Sequence, residues 1–247
     1  MRRKNAWTTY NKKQLDELEK LCKNYLKFLD KGKTERECVK QIVKQAEEKG
    51  YVNLADITKD KKALKAGDKV YSVCMDKTVA LFQIGKKKLE KGMNILGAHI
   101  DSPRMDVKQN PLYESEEFAY LDTHYYGGIK KYQWVTLPLA LHGVVVKKDG
   151  TVITVNVGED KNDPVFCVTD LLIHLAGEQM EKKANKVIEG ENLDVLVGSK
   201  PLEGKEKDAV KEGILEILKE KYDMTEEDFM SAEIEVVPAG HAREAGL

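Results

Sequence analysis

The segment that most restricts what this chain can fold into is Asn94-Ile95-Leu96-Gly97-Ala98, a short apolar run bounded by Gly92 and by the polar sequence His99-Ile100-Asp101-Ser102-Pro103. An uninterrupted apolar run of this kind suits a strand buried on both faces, as in an α/β sheet. Such a strand needs hydrogen-bonded neighbours on both sides. In extended backbone, residues i and i+2 project from the same face, so His99 and Asp101 can look into one cleft. Pro103 biases Ser102 toward extended geometry and keeps the His-x-Asp segment out of a helix. In open α/β sheets, ligands bind beyond the carboxyl ends of the strands, which is where this segment falls. A neutral imidazole is a good zinc ligand, and its second nitrogen usually donates to a carboxylate that fixes tautomer and ring orientation. Taken alone, a His-x-Asp pair is more often a local hydrogen-bonded unit than a metal site.

Periodicity supplies the remaining elements. Leu15, Leu18, Cys22, Tyr25 and Leu29 lie at three- and four-residue steps and predict a helix over 9–30. A second helix starts at Thr34, where Thr34 and Glu37 match a capping box, and stops at Gly50. From Lys69 the period becomes two, and Tyr71, Val73, Val79 and Leu81 predict a hairpin turning at Asp76-Lys77. Lys86-Lys87-Lys88 reads as a solvated turn. A second region begins after Pro103. Leu141–Val146 and Val152–Val157 predict strands joined through Asp149-Gly150, a favourable turn pair. Helices are predicted over 169–186 and 206–222, a strand over 194–198, and a half-exposed strand over 232–237, with Ile234 and Val236 facing inward.

Composition narrows the partners. Forty-one basic residues against 42 acidic ones leave a net charge of −1, without the basic excess expected of a nucleic-acid or anionic-lipid binder. The longest apolar stretch, Val135 to Val146, is interrupted by Pro138 and His142 and is too short to span a membrane. Small molecules or peptides are the expected partners. No secretory signal is recognisable at Met1-Arg2-Arg3-Lys4-Asn5, and the four dispersed cysteines, Cys22, Cys38, Cys74 and Cys167, predict reduced thiols in the cytoplasm.

The run Gly97-Ala98-His99-Ile100-Asp101-Ser102-Pro103-Arg104, with Lys108 and Asn110-Pro111-Leu112-Tyr113, resembles the first active-site block of the M18 family of zinc aminopeptidases, in particular its bacterial members. Further blocks follow in the same order: Tyr126-Gly127-Gly128, Trp134, Pro138 to Gly143, Leu172-Ile173-His174-Leu175, and Val237-Pro238-Ala239-Gly240 with Ala242-Arg243 and Gly246-Leu247. The resemblance implies an α/β fold: the amino-terminal part of a zinc-exopeptidase-like catalytic domain, with an inserted β-rich α+β dimerisation domain. The corresponding boundaries are 1–103 for the first part of the catalytic domain, 104–236 for the insert and 237–247 for the return. It implies that His99 is a zinc ligand, that Asp101 is the catalytic-site carboxylate orienting it, and that His174 reaches into a neighbouring subunit to bind substrate. It also implies two zinc ions, peptide substrates, and a homo-oligomer that is a dimer or a dodecamer. A helical wheel over 171–176, at about 100° per residue, centres the apolar arc between Leu172 and Leu175 and leaves His174 at the surface. His124 and His142 read as structural residues, His241 is given no role, and Glu244 stands where many members carry Asp.

The same resemblance places the bridging Asp, a Glu-Glu pair and the remaining Asp and His ligands beyond the Pro-Ala-Gly block at which this sequence ends. Two functions are therefore expected as alternatives. One is a zinc-dependent aminopeptidase whose catalytic half is incomplete in this chain. The other is a non-catalytic fragment competent only for subunit association through residues 104–236.

Overall fold

The computed structural model describes residues 3–246 of the chain. They divide into two compact units, one built from the residues up to Asp101 together with those from His241 onward, the other from Ser102–Gly240. None of the described helices is long and apolar enough to cross a membrane.

In the first unit, helix α1 spans Lys12–Lys31 and opens on a capping box between Asn11 and Gln14. Its predicted stripe is only partly used. Leu15 and Leu18 are half-buried, whereas Cys22, Tyr25 and Leu29 face solvent. Helix α2, Glu35–Glu48, begins where the sequence places it: Thr34 Oγ1 accepts from the Glu37 N–H at 3.3 Å, and Glu37 Oε2 accepts from the Thr34 N–H at 3.2 Å. These reciprocal bonds satisfy two of the donors a helix start leaves open. Cys38, Val39 and Ala46 are its buried side chains of small to medium size. Strand β1, Val52–Asn53, leads into helix α3, Leu54–Lys59. Strand β1 pairs in parallel with β2, Lys69–Cys74, which pairs antiparallel with β3, Thr78–Gln83, Tyr71 facing Leu81. The hairpin turns through Met75 and Asp76, both left-handed.

Residues 94–98 form no strand. Ile95 and Leu96 are 79% and 101% exposed, and the three-stranded sheet gives them no pairing. An extended segment whose backbone groups find no ladder among the described residues keeps them in water, whatever its side chains prefer.

The second unit is a six-stranded, wholly antiparallel sheet in the order β7-β6-β9-β4-β5-β8. The strands are β4 (Arg104–Ser115), β5 (Phe118–Tyr126), β6 (Leu139–Val146), β7 (Val152–Val157), β8 (Val195–Gly198) and β9 (Ala232–Pro238). The long β4–β5 hairpin is invisible to period-two reading. Its register shifts between Val107 and Leu112, so the alternation breaks around the buried Pro111. Such a bulge accommodates a proline that cannot donate to the ladder. Gly150, at φ 84°, makes the β6–β7 turn beside Asp149 as the sequence indicates. Helix α4, Gly177–Met180, comes next in the chain, and helix α5, Ala209–Tyr222, lays Val210, Ile214 and Leu218 on a core that includes Met105, Leu112, Leu193 and Val195. Glu114 Oε2 accepts from the N–H groups of Val210 and Lys211 at 2.8 and 2.9 Å, tying the start of α5 to β4.

Residues 169–186 are not one helix but a 3-10 turn, Ile173–Leu175, followed by the single turn of α4. Asp170 Oδ1 accepts from both the Leu171 N–H and Gln179 Nε2 at 2.9 Å, local bonds that compete with helix formation. Leu171, Leu172, Ile173 and Leu175 are all exposed, so no buried face offsets the cost of nucleation.

Candidate metal site

His99 and Asp101 are brought together. The imidazole Nδ1 lies 3.2 Å from Asp101 Oδ1 and 3.1 Å from the Asp101 backbone oxygen. A proton on Nδ1 satisfies both acceptors, and that tautomer leaves the Nε2 lone pair available. Nε2 has no partner among the described residues, and the ring is 85% exposed. The pair thus presents one oriented nitrogen ligand. A structural or catalytic zinc takes about four ligands in all. Among the described residues no group of three or more His, Cys, Asp or Glu side chains could hold a metal ion. The imidazole fits zinc chemistry as a single ligand.

His174 belongs to the second unit, on the 3-10 turn, and is exposed as expected of a surface histidine. His241 Nδ1 lies 3.4 Å from Asp30 Oδ2, and the Ala242 N–H donates to Asp30 Oδ1 at 2.6 Å. His124 stacks on Tyr125, with ring centroids 5.2 Å apart. His142 is buried on β6, with Nε2 3.0 Å from Glu159 Oε1, while Glu159 Oε2 accepts from the Gly240 N–H at 3.2 Å.

A buried ionic group escaped the sequence reading. Arg104 Nε lies 2.7 Å from Asp106 Oδ1 and 3.1 Å from Glu235 Oε2, and its guanidinium sits over the Tyr126 ring, 4.1 Å from the centroid. Glu235 was expected on the solvent face of a half-exposed strand; it is only 2% exposed, because β9 is a central strand with both faces covered. The available clue was Arg104 and Asp106 at i, i+2 directly after Pro103. A second polar cluster joins Tyr113 Oη to Asp194 Oδ2 at 2.5 Å, with Lys108 Nζ 2.7 Å from Asp122 Oδ1. Burial, with a smaller contribution from Asp122, pushes the Asp194 carboxyl above the usual aspartate range; Tyr113's hydrogen bond partly opposes it.

The profile of the family described as "Aminopeptidase I zinc metalloprotease (M18)" matches residues 28–247. The chain belongs to the M18 family. It is 61% identical over 245 residues to a probable M18 family aminopeptidase 1 of Clostridium acetobutylicum, which covers 99% of this chain and 53% of that relative. A crystal structure of an M18 aminopeptidase from Thermotoga maritima superposes with a TM-score of 0.92 at 46% identity, covering 100% of this chain and 53% of that one. The aminopeptidase I structure from Clostridium acetobutylicum gives 0.88 at 59% identity, covering 100% and 54%. The mixed α/β architecture is thus that of M18 structures, and the chain spans about half the length of the M18 relatives it matches.

Proposed function

We propose that this chain is the amino-terminal part of a zinc-dependent aminopeptidase that removes amino-terminal residues from peptides in the cytoplasm. The observation that carries the reading is the His99–Asp101 pair, an imidazole held through Nδ1 with Nε2 open, in a chain of the M18 family. His99 supplies one zinc ligand and Asp101 fixes its tautomer. When bound, zinc supplies Lewis acidity, polarising a peptide carbonyl and acidifying water. Two ions act in the complete site, and their remaining ligands lie in the part of the M18 relatives that this chain does not span. Residues 1–103 and 237–247 belong to the catalytic domain, and residues 104–236 form an inserted dimerisation domain. The exposed His174 contacts substrate bound in the neighbouring subunit. The assembly is a homodimer or a higher oligomer; a yeast structure 17% identical to this chain is described as a dodecamer.

A second reading is a fragment that only associates through residues 104–236, favoured by the absence of a three-ligand group among the described residues. The two are separated by assaying the 247-residue chain and a version extended to the length of its relatives, each with zinc and an aminoacyl chromogenic substrate. The aminopeptidase reading expects turnover from the extended protein alone, and loss of bound zinc in its His99→Ala variant. An extended protein that neither binds zinc nor turns over sinks it.

A further inference from the structure

The buried ionic cluster of the second unit needs a reason other than stability. Arg104 and Glu235 are both buried, and taking such charges out of water can cost more than their attraction returns. Well-packed apolar side chains would hold the fold as well, but they lack direction. The guanidinium is a planar, rigid fork, and each of its contacts fixes its orientation. Nε lies 2.7 Å from Asp106 Oδ1 and 3.1 Å from Glu235 Oε2, and Cζ lies 4.1 Å from the centroid of the Tyr126 ring. These groups come from three adjacent strands. Tyr126 of β5 is the cross-strand partner of Arg104 itself, and Glu235 of β9 is the partner of Asp106 on the other side of β4. The cluster therefore fixes β4 at its first residue against both neighbours.

The place of Arg104 in the chain gives that rigidity a use. It opens β4, three residues after Asp101. The link is Ser102-Pro103, where the pyrrolidine ring fixes its own φ and holds Ser102 extended. Pro103 lies against Gly127, the residue that follows β5: a Cβ on Gly127 would meet Pro103 Cα at 3.9 Å and its Cγ at 4.0 Å. A short, stiff link transmits orientation rather than absorbing it. At its other end stands the His99–Asp101 pair, joined through Nδ1 at 3.2 Å.

We propose that Arg104 is a positioning residue for zinc: its locked guanidinium sets the backbone from which Asp101 and His99 project, and so the direction of the His99 Nε2 ligand. The proposal rests on the aminopeptidase reading and adds to it a residue that acts through the chain rather than on the metal.

The test uses the protein extended to the length of its relatives. Zinc affinity is read by competition against a chromogenic chelator, and Co²⁺ in place of zinc reports ligand geometry through its visible absorption. Arg104→Met with Glu235→Met removes both buried charges together, so the protein is expected to unfold near the wild-type urea concentration. Its zinc affinity should nonetheless fall roughly tenfold and its Co²⁺ bands should shift, because the imidazole is no longer held within the fraction of an ångström that ligation needs. Arg104→Lys keeps a charge for Glu235 but not the fork, and should show the same two changes to a smaller extent. Leu193→Ala, in the apolar core of the second unit, lowers stability but should leave affinity and bands as in the wild type. A folded double variant, or Arg104→Lys, that binds zinc as tightly as the wild type overturns the proposal and leaves the aminopeptidase reading intact. So does a Leu193→Ala protein that loses as much affinity as the double variant, since general destabilisation then accounts for the loss. An extended wild type that binds no zinc removes the reading, and the proposal with it.

Discussion

Arg104, near the start of β4, and Glu235, in the middle of β9, form a buried ion pair at 3.1 Å, with Asp106 sharing the guanidinium. Removing one member of a buried pair strands the other charge and typically costs about 3–5 kcal/mol. Arg104→Met, which leaves Glu235 without its guanidinium, is expected to fall in that range by urea unfolding. The double replacement Arg104→Met with Glu235→Met should recover most of the loss, since no buried charge is then left over. A double variant as unstable as the single one counts against this account.

Asp194 gives the second unit a pH dependence of definite sign. Its folded-state carboxyl is raised by burial, so the folded protein holds the proton more tightly than the unfolded chain does. Stability therefore falls as pH rises from the ordinary aspartate range through the raised folded value, and then levels off. Asp194→Asn keeps an acceptor for the Tyr113 hydroxyl and carries no charge. Its stability relative to wild type should grow across that acidic window and stay flat above it. Unfolding curves at a series of pH values check this, and a pH-independent difference contradicts it.

Gly143 is required by space. A Cβ there would lie 2.0 Å from the Glu233 backbone oxygen on the paired strand β9. Gly143→Ala is expected to cost at least the upper part of the about 1–3 kcal/mol seen for overpacked interiors, because backbone cannot swing aside as a side chain can. Gly128→Ala, with nothing within 4 Å, is the matched control and should be near neutral in thermal unfolding.

Asp101→Asn tests the orienting role proposed for that carboxylate. In the extended protein it should weaken zinc affinity by about 10–100-fold, the usual effect of removing a partner that holds a ligating imidazole. Competition against a chromogenic chelator measures this without relying on turnover. Unchanged affinity removes Asp101 from the site.

Local signals were legible where neighbours in sequence make the contacts. The Thr34–Glu37 box, the 69–83 hairpin and the Asp149-Gly150 turn each depend on residues a few positions apart, and the structure contains all three. The His99–Asp101 contact is local in the same sense. What failed depended on distant partners. Residues 94–98 have the side chains of a buried strand but no ladder to join, and Glu235 reads as a solvent-facing residue until β9 takes its central place between β4 and β6, with the buried Arg104 beside its carboxylate. Residues 171–175 carry a helical apolar pattern, yet the Asp170 carboxylate and the lack of a packing surface leave them in a short turn.

Within the second unit, β4 and β9 are hydrogen-bonded neighbours, with Met105 opposite Val236, so the strand by which the chain enters lies beside the strand by which it leaves. Seen from the polypeptide on either side, the excursion through Ser102–Gly240 amounts to little more than a wide turn. Genetic gain, loss or exchange of such a module would leave a host chain with a gap it already knows how to bridge.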